Sequence, residues 1–322
     1  MLQLRLCAFL AALCAIAVAR PSAFECGRPA IEPELVDLNI LGGRQAVPGS
    51  WPWQAGLYLK PSGLIPEDAY GTHFCSGALI DNRTVITAAH CVPLPAQIIR
   101  FHLGSHLRSS KEEDEVLVDV ANLCSHPGWT DGNIDDIAIV KLAEAVPFGQ
   151  TISPVCLPPD NDDVTDEDEM YFTGWGYTSS GWDREQSEHL MQARQSLMSK
   201  EECEIVSGMN VTKIICASHD LGSSCHGDSG GPLVIQRDGV WQLQGVVSGG
   251  PSICGLSFRP MYYTEISKHA DWIREYRNSE VPFTTVGLCK EAEFAIGIDE
   301  DDDYDDNEVD VDQLLTVGSQ GA

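Results

Sequence analysis

Residues 224–232 read SCHGDSGGP, with Ser229 held between an aspartate and two glycines shortly after Cys225. A serine hydroxyl is a poor nucleophile at neutral pH, so acyl transfer needs a histidine base beside it and a buried carboxylate to orient that base. Outward from this stretch, His90 lies in TAAHC, residues 87–91, and Asp136 opens the apolar run DIAI, residues 136–139. Gly227 lets the backbone come close to a substrate, and the amides of Gly227 and Ser229 form a candidate oxyanion hole. Asp135, beside Asp136, reads as a solvated neighbour.

Apolar runs of the same kind predict the fold class. Between residues 40 and 283, short stretches such as 54–59, 84–87, 137–142 and 243–247 are separated by Gly, Pro, Asn and Asp. Many short strands at this spacing indicate an all-β barrel or sandwich. One helical exception runs from Thr264 to Arg277, where Ile266, Ala270 and Ile273 recur at helical spacing. A chain of 322 residues, 43% hydrophobic, holds enough apolar material for one large domain or two smaller units, each with its own core.

The ends read differently. Arg5, the apolar run from Leu6 to Val18, and Ala17-Val18-Ala19 before Arg20 form a secretory signal peptide over residues 1–19. That run is too short for a membrane anchor, and no other stretch has the length to span a bilayer. Of the 12 cysteines, Cys7 and Cys14 leave with the signal, so ten enter an oxidising compartment and five disulfides are expected. The net charge of −28 is concentrated in residues 160–169 and in a tail over 279–322, where residues 299–312 read DEDDDYDDNEVDVD. Mutual repulsion there predicts a disordered tail, and the charge excludes a nucleic-acid partner. Asn82-Arg83-Thr84 and Asn210-Val211-Thr212 are glycosylation sequons.

Together ILGG, PGSWPWQ, TAAHC, DIAI, GWG and GDSGGP resemble, in order and spacing, the trypsin/chymotrypsin family of serine endopeptidases, from Cys26 to about Arg277. The resemblance implies the trypsin-like serine protease fold: two six-stranded antiparallel Greek-key β-barrels with the active site in their cleft and a C-terminal α-helix across one side. It implies that Ser229 attacks the substrate carbonyl, that His90 is general base and then acid, and that Asp136 orients His90. It also implies the bridges Cys26–Cys156, Cys75–Cys91, Cys203–Cys216 and Cys225–Cys254. A further family bridge has both positions replaced here, by Met170 and Ile235. This leaves Cys124 and Cys289, for which a bridge pinning the tail is favoured and an intermolecular bond through Cys289 is the alternative.

In the family, a cut before Ile-x-Gly-Gly frees an α-ammonium that pairs with the aspartate preceding the nucleophile, which here means Ile40 and Asp228. The protease domain is then 40–278, and CGRPAIEPEL resembles the propeptide of chymotrypsinogen-type zymogens, a segment over 20–39 held by Cys26. Asn39 stands where family zymogens carry Arg or Lys, so cleavage is expected from an asparagine-preferring protease or from the enzyme itself. The pocket for the residue before the scissile bond is implied at Ser223, Ser248, Gly249, Gly250 and Met261. Ser223 replaces the aspartate of trypsins, which would leave Lys or Arg buried without a partner. Gly249 removes an apolar platform and Met261 narrows the walls, so a chymotrypsin/elastase-like preference is expected. Glu112 and Glu115 match two acidic positions of the family's calcium loop, but Ser105 replaces a third, and no metal or cofactor is expected. Residues 60–72 read as a surface loop at the cleft edge. Tyr304 sits in a sulfation-like context, equally read as an unmodified solvating tail. Protein or peptide substrates, an activating protease and protease inhibitors are the implied partners of a secreted monomer. The alternative is a protease-like binding protein or an inactive zymogen with an occluded pocket.

Overall fold

Turn residues cut the chain into short β-rich segments, and these pair with neighbours close in sequence. The computed structural model describes residues 25–35, 43–61, 70–130, 134–177, 185–218, 225–251, 260–278 and 289–290. After β1 (Arg44–Gln45), a closed barrel is built from β2 (Gln54–Leu59), β3 (Thr72–Asp81), β4 (Thr84–Thr87), β5 (Ile99–Leu103), β6 (Val116–Ser125) and β7 (Ala138–Leu142), in the order β2-β3-β4-β7-β6-β5. A second ring holds β8 (Met170–Gly174), β9 (Met191–Met198), β10 (Ile214–Ser218), β11 (Pro232–Arg237), β12 (Val240–Gly249) and β13 (Met261–Glu265). Its order is β9-β10-β13-β12-β11-β8, β8 pairs back onto β9, and β1 adds to the outside of β9. The architecture is therefore the pair of six-stranded antiparallel barrels that the resemblance implies.

β2 and β4 coincide with the runs read at 54–59 and 84–87. All four residues of β4, Thr-Val-Ile-Thr, are buried, as expected of a strand enclosed on both faces. Each buried Val or Ile side chain contributes roughly 1.5–3 kcal/mol. Between the barrels, Trp241 packs edge to face with both Trp51 and Tyr171, with the Trp51 and Trp241 centroids 4.9 Å apart. The Trp51 indole N–H is satisfied by Gln192 Oε1 at 3.0 Å. Met170 and Ile235, which replace the family bridge, are direct cross-strand partners on β8 and β11, both fully buried. An apolar contact thus fills the space of the missing sulfurs.

Two helical readings change. The terminal helix, expected from Thr264, begins at α2 (Ala270–Asn278), after a 3-10 turn over Ile266–His269. Thr264 and Glu265 remain in β13 because they pair with Ile214 and Gly245, so barrel closure overrides helical periodicity. A helix that the sequence reading passed over, α1 (Lys200–Ser207), carries its own signals. Ser199 caps it by accepting from the Glu202 amide, and Gly208 ends it at φ 69°, a conformation that costs glycine little.

Disulfides join Cys26 to Cys156, Cys75 to Cys91, Cys124 to Cys289 and Cys203 to Cys216. Cys225 is also disulfide-bonded, and Cys254 lies outside the described residues. Residues 25–35 dock on the body: Gly27 exchanges backbone hydrogen bonds with Pro154 and Trp241, and Arg44 pairs with Glu34 at 2.7 Å. Residues 1–24, Asn39, Ile40, residues 62–69 of the expected cleft-edge loop, Ser223 and Tyr304 also lie outside the described residues. No helix among the described residues is long and apolar enough to cross a membrane.

Candidate active site

β4 and β7 pair with Thr87 opposite Ala138, so the residues just after β4 and just before β7 emerge at the same end of the first barrel. This register brings His90 and Asp136 together. His90 sits in a single 3-10 turn over Ala89–Cys91, fixed to β3 by the Cys75–Cys91 bridge. Its Nδ1 lies 2.7 Å from Asp136 Oδ2, and its backbone N–H donates to Asp136 Oδ1 at 3.0 Å. The second barrel holds the same residue at two points: Ser248 Oγ donates to the carboxylate Oδ2 at 2.7 Å, and Thr264 Oγ1 donates to the Asp136 backbone carbonyl at 2.8 Å. Asp136 is 2% exposed.

A buried carboxylate can only accept, so His90 Nδ1 carries the proton and Nε2 presents a lone pair in the neutral ring. Burial opposes the imidazolium, but the charge and hydrogen bond of Asp136 outweigh it and raise His90 above the ordinary histidine value. The arrangement is that of a base ready to take a proton at Nε2.

Ser229 is delivered from the second barrel. Its carbonyl accepts from the Ser76 amide at 2.8 Å, and the Gly230 amide donates to Val247, next to Ser248, at 2.8 Å. Gly230 has φ 78°, and a Cβ there would fall 2.2 Å from Thr87 Oγ1, which shows how closely this turn abuts the His90 segment. Ser229 Oγ makes no hydrogen bond among the described residues, and neither do the amides of Gly227 and Ser229.

Asp228 is buried deeper, at 4% exposure. Its carboxylate accepts from the Gly176 amide at 2.7 Å and the Cys225 amide at 2.8 Å, with no cation paired to it among the described residues. Burial pushes its pKa up to about 7 despite the two backbone donors. The glycines of GWG make room for it: a Cβ on Gly176 would lie 2.3 Å from Oδ2, and one on Gly174 2.0 Å from Oδ1. Gly176→Ala is therefore expected to lower stability by about 2 kcal/mol or more, seen as a lower denaturant midpoint at unchanged m-value.

The pocket residues are partly placed. A Cβ on Gly250 would meet the Met261 sulfur at 2.4 Å, so the thioether lies directly against Gly250. Met261 itself is buried. Glu112 turns its carboxylate onto the His106 and Leu107 amides, and Glu115 accepts from Ser105 and Tyr70. The chain's own donors thus reach one oxygen of each acid, while Glu115 Oε2 is buried without a hydrogen-bond partner among the described residues. The sequons differ from these buried positions, since Asn82 and Asn210 are exposed.

Two site features escaped the sequence reading. Thr264 carries no local motif, and only the juxtaposition of β13 with the residues before β7 makes it a partner of Asp136. Asp135 is not a solvated neighbour: it is 8% exposed and pairs with Lys213 Nζ at 2.6 Å and His269 Nε2 at 2.8 Å. Burial opposes its charge, and Lys213 and His269 together outweigh burial and hold its carboxyl below the usual range. The paired side chains come from segments about 80 and 130 residues away in the chain, so proximity to Asp136 alone could not reveal them.

A family model described as Trypsin matches residues 40–273. A protein named Chymotrypsin-C, from Rattus norvegicus, is 38% identical over 259 residues, which cover 78% of this chain and 92% of that protein.

Proposed function

We propose, from the premise that this chain belongs to the trypsin family and is a serine endopeptidase, that it is secreted as a zymogen and works through Ser229, His90 and Asp136. The observation that carries this reading is the buried Asp136, held by Ser248 and Thr264, whose carboxylate takes the His90 Nδ1 proton and leaves the lone pair on Nε2. Ser229 Oγ attacks the scissile carbonyl and passes its proton to His90 Nε2. The resulting imidazolium is stabilised by Asp136, and the Gly227 and Ser229 amides receive the negative charge on the tetrahedral oxygen. His90 then gives the proton to the leaving amine, and water repeats the sequence on the acyl-enzyme.

Activation in this reading is a cut after Asn39 that frees the Ile40 ammonium to reach Asp228. The buried Asp228 carboxylate, with no cation among the described residues, supports it, because burying such a charge unpaired is costly and an arriving ammonium relieves that cost. Preference for the residue before the scissile bond is non-tryptic and narrowed: Ser223 offers no countercharge, and Met261 lies against Gly250. The name of the rat relative, Chymotrypsin-C, agrees in kind. The Met261 contact also favours the second reading, a protease-like binding protein with an occluded pocket.

Chain beginning at Ile40 separates these readings when assayed on peptides varied at the residue before the scissile bond and with a serine-reactive phosphonate. Turnover after apolar residues and labelling of Ser229 are expected. Fast cleavage after Arg overturns the specificity, and absence of both turnover and labelling despite a correct terminus leaves the binding protein.

A further inference from the structure

His126, Asp135 and His269 form a cluster that no step of proteolysis uses. One ligand atom from each lies within 4.8 Å of the others. His269 is the most constrained. Its Nδ1 lies 2.7 Å from the Glu265 carbonyl, which can only accept, so Nδ1 donates and Nε2 of the neutral ring presents its lone pair. That lone pair faces Asp135 Oδ1 at 2.8 Å. Two acceptors at this distance need a positive centre between them, supplied either by a proton or by a metal ion. An imidazole whose far N–H is fixed by a backbone carbonyl is also the usual state of a metal-ligating histidine.

We propose that His126, Asp135 and His269 form a Zn²⁺-type transition-metal site directly behind Asp136. Two imidazoles and one carboxylate are a borderline-soft donor set that suits Zn²⁺ and not Ca²⁺ or Mg²⁺. Tetrahedral Zn²⁺ at about 2.0–2.1 Å places its ligands roughly 3.3 Å apart, within side-chain adjustment of the present spacing. His126 is half-buried and gives the ion a path from solvent. Lys213, half-exposed, swings off Asp135 as the ion enters. The other cluster of this kind, Cys75, His90 and Cys91, has no such capacity because both sulfurs are tied in a disulfide. Asp135 adjoins Asp136, has φ 57°, and accepts the Ile137 amide across it at 2.8 Å. An ion drawing on Asp135 therefore pulls on the turn that carries Asp136, and occupancy lowers kcat.

Calorimetric titration of the full chain with Zn²⁺ is expected to show one tight equivalent, and Co²⁺ a tetrahedral visible spectrum. His126→Gln weakens binding by roughly 100-fold or more. Lys213→Met removes the competing ammonium and tightens binding roughly fivefold, the size of a half-exposed ion pair. This second variant keeps the test open should changes at buried His269 prevent folding. Equal affinity in the wild type and both variants overturns the site, as does the lack of a tight equivalent. Full occupancy with kcat unchanged overturns the coupling to Asp136. Binding and Co²⁺ spectra are read without catalysis, so failure here is distinguishable from failure of the protease reading.

Discussion

Ser229→Ala in chain beginning at Ile40 is expected to lower kcat by roughly 10⁶-fold, and Asp136→Asn by roughly 10⁴-fold, with KM little changed. These magnitudes are those of reference serine proteases, not quantities obtained from this structure. The structure supplies the reason for their order. Without Ser229 no acyl-enzyme forms. In the Asp136→Asn variant Thr264 still holds the backbone carbonyl and Ser248 Oγ turns to accept from the side chain, but an amide NH₂ facing His90 Nδ1 selects the wrong tautomer and leaves Nε2 protonated. Asp136→Asn should therefore keep phosphonate-sized ligands bound while losing turnover, with partial recovery at high pH. Equal and complete loss of binding would instead mean that the clamp, not the base, had failed.

Asp228→Asn is expected to change stability with opposite signs before and after activation. In the uncut chain the carboxyl has a folded pKa of about 7, against about 3.9 when unfolded. A group whose folded pKa is raised supports the fold fully below its unfolded pKa, and that support is lost as pH rises through its folded pKa. The uncut protein should accordingly lose about 4 kcal/mol from this group between about pH 4 and pH 7. The asparagine variant removes that slope, and at pH 8 it gains about 2 kcal/mol net, since its NH₂ must face one of two backbone N–H donors. After cleavage the Ile40 ammonium would be left without its partner, costing about 3–5 kcal/mol together with activity. Thermal melts across pH on both forms check this. A wild-type slope that persists in the uncut Asp228→Asn protein would mean that another group titrates in that window.

Much of the architecture was legible because strands enclosed between packed layers are short apolar runs, and β2 and β4 coincide with the runs read at 54–59 and 84–87. Met170 and Ile235 were legible as a replaced pair, and their cross-strand register gives that replacement a packing role. His90, Asp136 and Ser229 stood out because each lies in a compact motif. The rest depended on contacts between distant segments. The burial of Asp135 comes from Lys213 and His269, the clamp on Asp136 from Ser248 and Thr264, and the late start of α2 from pairing of β13 with β10 and β12. None of these is encoded in a window around the residue it affects. The capping signals of α1 were local, yet they enclose only eight residues with one buried side chain, too little apolar material to register as an amphipathic period.

The Cys26–Cys156 bridge alters what cleavage means as a physical event. A single cut anywhere in 36–42 releases no peptide from a chain starting at residue 20: the molecule gains one water, and its size and hydrodynamic profile stay essentially the same. Gel filtration would then be blind to the transition, and only reduction of the disulfide would separate the short chain from the long one. The uncut form thus differs from its cut product in connectivity, not in composition, and a preparation can pass from one to the other without any visible loss of mass.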